Sequence, residues 1–566
     1  MEVKDRTFPP AHALNLMRQG APAVLARLWA SRGIQDVSGA EPALDTLLPF
    51  SALKGAEDCA RLLADAIAQQ RNLLIVADYD ADGATACSVG LRALRAFGAN
   101  VDFLVPKRLE HGYGLTPEIV DLAAARSPRP DYIVTVDNGI ASLAGIAHAN
   151  ALGIPVIVTD HHLAADRLPD ALMIVNPNQP GCSFPSKALA GCGVMWYCMW
   201  ALQEELLERG VLPAEGFSVD QLLPIVAIGT IADVVALDQN NRTLVAAGLG
   251  MIRKGKSFPG IVALARESKA TIEELSTTDI GFGIGPRINA AGRLQTMDAG
   301  VECLTTDDPE RAQVLAAGLH DINDLRKDIE AGTVMQAVEQ LLADESARQR
   351  VTTVLFSPEW HPGVIGIVAG RFKEKLWRPT FVLAESGNGE LKGSGRSIPG
   401  LHLRDALDLV DKRAPGLLVK FGGHAMAAGV TLRAGGFEQF AQVFEEVVAQ
   451  CIPPEALRHV LMSDGPLAVP EMSIAVADLL KEHVWGQEFP APLFCDVFKA
   501  KFGKLMGSGN HLRLALEKDG RSFNAIRFRH EGPIPDGRVR VAYRLETNTY
   551  RDETTVQLVV EHIQPA

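Results

Sequence analysis

The sequence has no feature that would place the chain in a membrane or in an oxidising compartment. It contains no run of 18 or more apolar residues, so we expect no membrane-spanning helix. Its N-terminus lacks the basic and then apolar order of a signal peptide, and its eight cysteines include no C-x-x-C pair. Scattered thiols are typical of reduced proteins, so we expect a cytoplasmic protein without disulfides or structural zinc.

Excess positive charge is also missing from the chain as a whole. The net charge of −13 argues against non-specific binding of nucleic acid over the entire surface. The balance reverses locally, because residues 499–551 contain 12 Lys and Arg against 5 Asp and Glu, a net charge of +7. Such a block is often only a solvated face, and it can also bind a polyanion.

At 566 residues the chain is too long for one ordinary domain. Between about residues 45 and 180, short apolar runs alternate with helical patterns, which is typical of a parallel α/β sheet. The predicted strands are 73–80, 101–106, 132–137, 155–160 and 172–177. Ligands of such sheets bind beyond the carboxyl ends of the strands, and three of these strands end in Asp80, Asp137 and Asp160.

The later part of the chain changes pattern twice. Apolar residues recur at helical spacing from about 309 to 350, which predicts one long helix that connects two domains. A second α/β segment follows to about residue 450. From about residue 490, short strands with polar turns predict a small β-barrel.

Acidic residues cluster in "DYDADG", where Asp78, Asp80 and Asp82 follow an apolar run. An aspartate at a strand end is often only a helix cap or a turn residue. "DHH" at 160–162 and Asp233, a lone acid in an apolar segment, change that balance. Four aspartates with one or two histidines make a credible site for two divalent cations, Mn²⁺ or Mg²⁺, that would hydrolyse a phosphate ester.

These motifs resemble the DHH phosphoesterase superfamily in order and approximate spacing. The matching segments are "DYDADG" (78–83), "VTVDNG" (134–139), "DHH" (160–162) and "GTIADVV" (229–235). "GSGRS" (393–397) and "GGHAMAAG" (422–429) resemble its companion DHHA1 domain. "GPRINAAGR" (285–293), the long connector and the barrel resemble the bacterial single-strand-specific exonucleases of this superfamily. The resemblance covers nearly the whole chain.

The resemblance implies an α/β protein with five parts. They are an N-terminal extension (1–45), a parallel-sheet DHH catalytic domain (46–305), a connecting helix (306–350), a second α/β domain of the DHHA1 type (351–455) and an OB-like β-barrel that binds single strands (456–566).

The resemblance also assigns roles at the metal site. It makes Asp80, Asp82, Asp137, His161 and Asp233 the metal ligands, with Asp137 bridging two ions. His162 is expected to contact the scissile phosphate or the nucleophile, and Asp160 to orient a histidine. Small pyrophosphatases of the superfamily have a histidine where this chain has Val76. One metal would then be held less fully, and whether Asp78 completes its ligands stays open.

Substrate contacts are expected from a second group of residues. Ser394 and Arg396 resemble a pocket for a 5′-terminal phosphate, since arginine binds phosphate through two hydrogen bonds. Tyr113 would stack on a base or simply pack in its loop. The remaining candidates are Arg108, Arg287, Asn289, Arg293, Gly422, Gly423 and His424.

The predicted function is a metal-dependent exonuclease that degrades single-stranded DNA from the 5′ end to mononucleotides in DNA repair and recombination. One alternative is a small-substrate phosphoesterase acting on pyrophosphate, oligoribonucleotides or cyclic dinucleotides. Another is an inactive replication scaffold, against which the five metal-ligand residues argue. We expect a monomer, with a single-strand-binding protein and a helicase as candidate partners.

Overall fold

The computed structural model of the protein describes residues 1–40, 43–212, 216–386, 389–507, 511–551 and 553–566. These residues form two compact units. The first comprises Asp5–His320 and Met462–Ala566, and the second comprises Met1–Lys4 and Asp321–Leu461. Within the described ranges, no helix is both long and apolar enough to cross a membrane.

The helical part of the N-terminal segment, which follows strand β1, packs into the first unit. Strand β1 (Glu2–Asp5) is followed by helices α1 (Pro10–Arg18), α2 (Ala23–Ala30) and α3 (Val37–Ala40). Leu16, Leu28 and Trp29 are fully buried in the large core of the unit. The predicted N-terminal extension therefore contributes to this core.

A five-stranded parallel sheet lies at the centre of the first unit. Its strands are β2 (Asn72–Ala77), β3 (Asn100–Leu104), β4 (Tyr132–Val136), β5 (Val156–Thr159) and β6 (Met173–Val175). Their order is β3-β2-β4-β5-β6, and all neighbouring pairs are parallel. The five predicted strands are thus confirmed.

Helices cover both faces of this sheet, which explains why its strands are apolar throughout. Because side chains alternate along a strand, Leu73 and Ile75 of β2 join one buried cluster, whereas Leu74 and Val76 join another. The helices of this part are α4 (Ala56–Ala68), α5 (Ala81–Ala96), α6 (Arg108–His111), α7 (Pro117–Ala124), α8 (Leu143–Ala151), α9 (Gly191–Glu208), α10 (Leu223–Ala232), α11 (Gln239–Arg253), α12 (Pro259–Glu267), α13 (Thr277–Asp279), α14 (Gly285–Leu294) and α15 (Asp298–Thr305).

The predicted long helix is present as α16 (Pro309–Ala343). It begins at a proline, which tolerates the first helical position because its missing N–H would have no partner there. Asp308 precedes it, and its Oδ1 accepts a hydrogen bond from the backbone N–H of Glu310 at 2.9 Å. The helix ends at Ala343, before the predicted limit at residue 350, and a 3₁₀ turn (Glu345–Arg348) follows.

The second unit contains a mixed sheet. Its strands are β7 (Thr353–Ser357), β8 (Thr380–Glu385), β9 (Leu391–Arg396), β10 (Leu418–Gly423) and β11 (Ala427–Leu432), in the order β10-β11-β9-β8-β7. Only β7 and β8 pair in parallel among them. The helices α17 (Ile365–Leu376), α18 (Leu403–Arg413) and α19 (Phe437–Cys451) accompany this sheet, and strand β12 (Val460–Ser463) follows. The second α/β domain is confirmed.

A closed barrel forms the C-terminal part of the first unit, after helix α20 (Ile474–Glu482). Its strands are β13 (Phe494–Met506), β14 (His511–Lys518), β15 (Arg521–Phe528), β16 (Gly537–Tyr550) and β17 (Glu553–Pro565), closed in the order β13-β14-β15-β17-β16. Leu512, Leu514 and Leu516 alternate into its core, as the pattern of short strands predicted.

Candidate metal centre and its surroundings

The "DYDADG" loop connects the buried end of β2 to the start of α5. Asp80 is the N-cap of this helix, because its Oδ1 accepts hydrogen bonds from the backbone N–H groups of Asp82 and Gly83, both at 3.0 Å. Asn289 accepts from the N–H of Ala81 at 2.9 Å and fixes the same turn. Asp80 therefore caps a helix with one carboxylate oxygen, which leaves its Oδ2 available to a cation.

Asp82 is held by the N-terminus of a different helix. Its two carboxylate oxygens accept hydrogen bonds from the backbone N–H groups of Gly191, at 2.6 Å, and Cys192, at 2.9 Å, which begin α9. The side chain is fully buried. A helix N-terminus stabilises negative charge, so this contact fixes the orientation of Asp82 and offsets part of its burial cost.

Asp137 follows β4 in a left-handed backbone conformation, with φ of 60°. Aspartate tolerates this region better than most residues, and such conformations are concentrated at functional sites. Its N–H donates to the carbonyl of Thr159 at 3.0 Å. A Cβ atom placed on Gly191 would lie 2.7 Å from the Cβ of Asp137, so only glycine at 191 permits this approach.

Asp160 organises the "DHH" segment after β5. Its Oδ1 accepts from the backbone N–H groups of His161, at 2.7 Å, and His162, at 3.1 Å, and lies 2.8 Å from Nδ1 of His162. Asn176 and Asn178 donate to the carbonyls of His162 and His161 at 2.9 and 2.6 Å. Asp160 thus orients His162, as expected for a residue behind the ligands.

The acidic and imidazole groups converge on His161. Its Nε2 lies 3.1 Å from Asp137 Oδ1, 3.6 Å from Asp233 Oδ2 and 3.9 Å from Asp82 Oδ2. Asp233 occupies the position directly after α10. Three groups of ligand atoms are close enough to hold a cation: Asp82, His161 and Asp233; Asp78, Asp80 and Asp137; and Asp137, His161 and His162. Asp137 is common to two of them.

The donor set fits hard divalent cations. Asp137 Oδ1 and His161 Nε2 are buried, and neither atom has a hydrogen-bond partner among the described residues. Unsatisfied buried polar atoms are costly, and a bound cation would satisfy both. The centre is rich in carboxylate oxygen with a minority of imidazole, which suits Mn²⁺ and Mg²⁺.

Mutual repulsion and burial shift the protonation of the centre in the metal-free protein. Burial, reinforced by neighbouring carboxylates, raises the pKa values of Asp78, Asp137 and Asp233 well above the usual range. Burial lowers the pKa of His161. Burial also acts to lower the pKa of His162, but its hydrogen bond to Asp160 and nearby carboxylates outweigh it and raise the pKa to about 9.

Tyr113 and Arg108 border this centre in the first unit. The hydroxyl of Tyr113 lies 3.1 Å from His162 Nδ1, while 48% of the residue stays exposed. The Arg108 guanidinium lies over the ring of Tyr79, 5.1 Å from its centroid. Arg108 and Arg293 also line one cavity with Lys107. The predicted substrate residues Tyr113, Arg108 and Arg293 therefore lie next to the acidic loop.

Two predicted substrate residues have structural contacts. Arg287 is buried, and its guanidinium donates to the carbonyls of Gly283 and Glu267, both at 2.7 Å. These hydrogen bonds connect Arg287 to the chain before α14, and its role as a substrate residue stays a prediction. Asn289 caps α5 through Ala81, which makes it a support of the metal loop.

The predicted substrate residues of the second unit lie on or next to neighbouring strands of its sheet. Arg396 of β9 pairs with Ala427 of β11, and Gly423 of β10 pairs with Ala428. Nη1 of Arg396 donates to Ser394 Oγ at 3.2 Å. The remaining predicted residues of this unit, Gly422 and His424, are exposed at the end of β10.

A Cβ on Gly366, near the start of α17, would lie 2.9 Å from Ser394 Oγ and 3.1 Å from Arg396 Nη2. The two side chains therefore meet a helix N-terminus, which favours anions.

Sequence reasoning missed the residues that support the ligands. Gly191 and Cys192 hold Asp82 through their backbone N–H groups. The side-chain amides of Asn176 and Asn178 hold the "DHH" segment through its backbone carbonyls. The "NPN" that follows the apolar run of β6 was the available signal, since amide side chains after a strand face the same sheet edge. No local sequence pattern predicts the contact between Asp82 and the N-terminus of α9, because Asp82 and Gly191 are 109 positions apart.

Comparisons with known proteins agree with this architecture. Family models match the DHH family N-terminal domain at residues 72–230, the DHHA1 domain at 348–450 and the RecJ OB domain at 463–562. Single-stranded-DNA-specific exonucleases RecJ of Salmonella typhimurium and Escherichia coli are 45% and 44% identical to the chain over 559 residues, covering 96% of the chain and 96% of each relative.

A solved structure of RecJ from Thermus thermophilus in complex with Mn²⁺ has a TM-score of 0.82 at 29% identity and covers all of this chain and 79% of its own. The fold and the acidic centre define a phosphoesterase of the DHH class with DHHA1 and OB domains. Within this class, the chain belongs to the RecJ family.

Proposed function

We propose that the chain is a metal-dependent exonuclease that degrades single-stranded DNA from the 5′ end and releases mononucleotides. The observation that carries this proposal is the buried centre of Asp82, Asp137, His161 and Asp233, in a chain that belongs to the RecJ family. Relatives of this chain are described as single-stranded-DNA-specific exonucleases, and related structures are described with Mn²⁺ or Mg²⁺.

In this proposal, Asp82, His161 and Asp233 would hold one cation, Asp80 with Asp78 would hold the second, and Asp137 would serve both. Two bound cations would lower the pKa of a water nucleophile and neutralise charge on the phosphoryl oxygens. The raised pKa values of Asp78, Asp137 and Asp233 favour this assignment, since carboxylates that repel one another gain most from a bound cation. Asp78, which the sequence left open, enters the proposal because it lies within reach of Asp80 and Asp137.

His162 is proposed to act on the substrate. Asp160 fixes the orientation of the His162 ring, and its carboxylate acts to raise the pKa of His162. A protonated imidazole can donate a hydrogen bond to a phosphate oxygen. Arg108 and Arg293 supply further positive charge beside the loop, and Tyr113 offers an exposed ring.

Direction is proposed to come from the second unit. Ser394, Arg396 and the N-terminus of α17 form a place where a terminal phosphate can receive charged and neutral hydrogen bonds. Gly423, with φ of 145°, allows a backbone geometry that other residues rarely adopt, and His424 follows it. The 5′-phosphate of a strand would accept hydrogen bonds from Ser394, Arg396 and the N-terminus of α17. This contact supports degradation from the 5′ end.

The barrel is proposed to hold the strand further along. Its strands β13, β14 and β15 carry Phe502 and Phe528, 56% and 54% exposed, beside the cations Lys504 and Arg513. Register pairs Lys504 with Arg513 directly across β13 and β14. Exposed aromatics between cations bind single strands without regard to sequence, since every base can stack.

The test compares 5′- and 3′-end-labelled single-stranded DNA, duplex DNA, short RNA and pyrophosphate, each with Mn²⁺ or Mg²⁺. We expect mononucleotides from the 5′ end of single-stranded DNA and no activity of the Asp137→Ala variant. Release from the 3′ end would overturn the direction, and faster turnover of pyrophosphate than of DNA would overturn the substrate.

The small-substrate alternative is not favoured, because the closed C-terminal barrel and the match to RecJ across 96% of the chain fit a longer substrate. The scaffold alternative is not favoured either, since the metal-ligating side chains converge. A monomeric state, a cytoplasmic location, and cooperation with a single-strand-binding protein and a helicase in DNA repair and recombination stay proposals.

A further inference from the structure

One aromatic side chain in the first unit is exposed to solvent on a turn that is itself well packed. Phe282 is 83% exposed, more than any other large apolar side chain of the described residues. It lies between Gly281 and Gly283 in a π-helical turn (Ile280–Ile284). Turns of this kind are rare and are often found at functional sites.

The turn is fixed on every side although Phe282 itself is exposed. Ile280 and Ile284, which begin and end it, are fully buried. The buried guanidinium of Arg287 donates to the carbonyl of Gly283 at 2.7 Å. A capping box between Ser276 and Asp279 immediately precedes it, with the Ser276 Oγ donating to Asp279 Oδ2 at 2.6 Å. Phe282 is therefore exposed on a turn whose backbone is held in place by buried side chains and hydrogen bonds.

This turn is part of the metal centre's own scaffold. An added Cβ on Gly281 would lie 3.6 Å from Ile231, and one on Gly285 would lie 3.2 Å from the Cβ of Ala232. Ile231 and Ala232 are the last residues of α10, directly before Asp233. The same chain continues into α14, whose Asn289 caps the helix that follows the "DYDADG" loop.

The surface beside Asp233 is apolar as well. Val234 follows Asp233, has φ of 64° and is 62% exposed. The turn that carries Phe282 packs against the end of α10, and Asp233 and the exposed Val234 follow that helix directly. Exposed apolar surface in this region offers contact to a ligand that has a flat apolar face and a phosphate. A nucleotide of the strand under attack has this chemistry, because the base face is apolar and the phosphate is drawn to the cations.

We propose that Phe282 is a stacking platform for one base of the single strand, close to the phosphate that is cut. The proposal rests on the proposed exonuclease function and deepens it, because it names the contact that would hold a base near the centre. Stacking needs no particular base, so Phe282 would raise affinity without conferring sequence specificity.

The experiment measures kcat and KM on a single-stranded oligonucleotide series in which one abasic site is moved through the first positions from the 5′ end. Phe282→Ala is compared with Phe282→Tyr, which keeps the ring, and with Leu342→Ala, which removes another exposed apolar side chain (72% exposed) from α16. Melting temperature verifies folding, and Phe282→Leu separates loss of the ring from loss of apolar area.

We expect Phe282→Ala to lower kcat/KM on intact strands roughly tenfold to hundredfold, mainly through KM, as alanine substitution of stacking aromatics does. Phe282→Tyr and Leu342→Ala should match the wild-type protein, and Phe282→Leu should fall between. The difference in kcat/KM between Phe282→Ala and the wild-type protein should vanish at one position of the abasic site. At that position the substrate lacks the base that would stack on Phe282.

An equal defect at every abasic position, or wild-type kinetics of Phe282→Ala, would overturn the platform. Failure of the wild-type protein to degrade single-stranded DNA would overturn the exonuclease function instead, so the two failures are distinguishable.

Discussion

His161 Nε2 lies 3.1 Å from Asp137 Oδ1, and neither atom has a hydrogen-bond partner among the described residues. The two residues follow neighbouring parallel strands, β4 and β5, whose carboxyl ends meet at one edge of the sheet. Asp233 and Asp82 lie 3.6 and 3.9 Å from the same nitrogen. Three carboxylate oxygens therefore surround one imidazole nitrogen, and a bound cation would stabilise this arrangement.

Gly191→Ala should damage the metal centre without unfolding the protein. The new methyl group would lie 2.7–2.9 Å from the side chain of Asp137, and the N–H of residue 191 also orients Asp82. We expect Mn²⁺ affinity to fall about 10- to 100-fold, as for other residues that support metal ligands. Calorimetric titration with Mn²⁺ measures this change.

Gly250→Ala is the matched control, because Gly250 lies within α11 and a Cβ there would meet nothing within 4 Å. It should keep wild-type Mn²⁺ affinity and raise the free energy of unfolding by roughly 0.5–1 kcal/mol. Unchanged Mn²⁺ affinity of Gly191→Ala would refute the positioning role of Gly191.

The metal-free protein should lose stability as pH rises above about 4. The pKa values of Asp78, Asp137 and Asp233 are raised in the folded state, whereas an unfolded chain has Asp pKa values near 3.9. Between those values the folded state binds more protons, so the free energy of unfolding falls with increasing pH. Mn²⁺ binds the deprotonated groups, so its stabilising effect should grow over the same range.

Thermal melts from pH 4 to 8, with and without Mn²⁺, measure this linkage. The melting temperature without metal should decline with pH less steeply for Asp137→Asn, which removes one of the coupled carboxylates. A Mn²⁺-induced shift that is independent of pH would contradict the assignment of buried carboxylates as ligands.

Arg396→Ala should remove the preference for a 5′-phosphate. A charged hydrogen bond contributes about 1.5–3 kcal/mol, so kcat/KM on 5′-phosphorylated strands should fall roughly 10- to 100-fold. Strands with a 5′-hydroxyl should be degraded at nearly the wild-type rate, since they lack the phosphate that Arg396 is proposed to bind. Equal losses on both substrates would show that Arg396 acts on the fold of the second unit instead.

Replacing Lys504 and Arg513 together by alanine should weaken single-strand binding by the barrel. Each contact with a phosphate releases about 0.7 counterion from a single strand, so the slope of log affinity against log salt should fall by roughly 1.4. Fluorescence anisotropy with a labelled oligonucleotide at several salt concentrations measures this slope. An unchanged slope would place the strand away from the outer face of β13 and β14.

The sequence predicted the sheet, and it grouped acidic residues at one sheet edge, because both follow from local patterns. Apolar runs that end in Asp80, Asp137 and Asp160 imply buried parallel strands with acids at one edge. The sheet is confirmed, and Asp80 and Asp137 lie in one cluster of candidate ligand atoms. Contacts between distant residues were not predictable in this way. The hydrogen bonds from Arg287 to the carbonyls of Gly283 and Glu267 are an example, since no local pattern predicts them. Likewise, the composition of α16 does not show that it ends at Ala343.

The number of Mn²⁺ ions bound by the wild-type protein and by Asp137→Asn, measured by equilibrium dialysis, tests the central claim most directly. The proposed centre predicts two ions per chain in the wild-type protein. Asp137 contacts both ions in this proposal, so Asp137→Asn should lose affinity for both and should release no mononucleotides from single-stranded DNA. Two ions bound by Asp137→Asn with wild-type affinity would contradict the account.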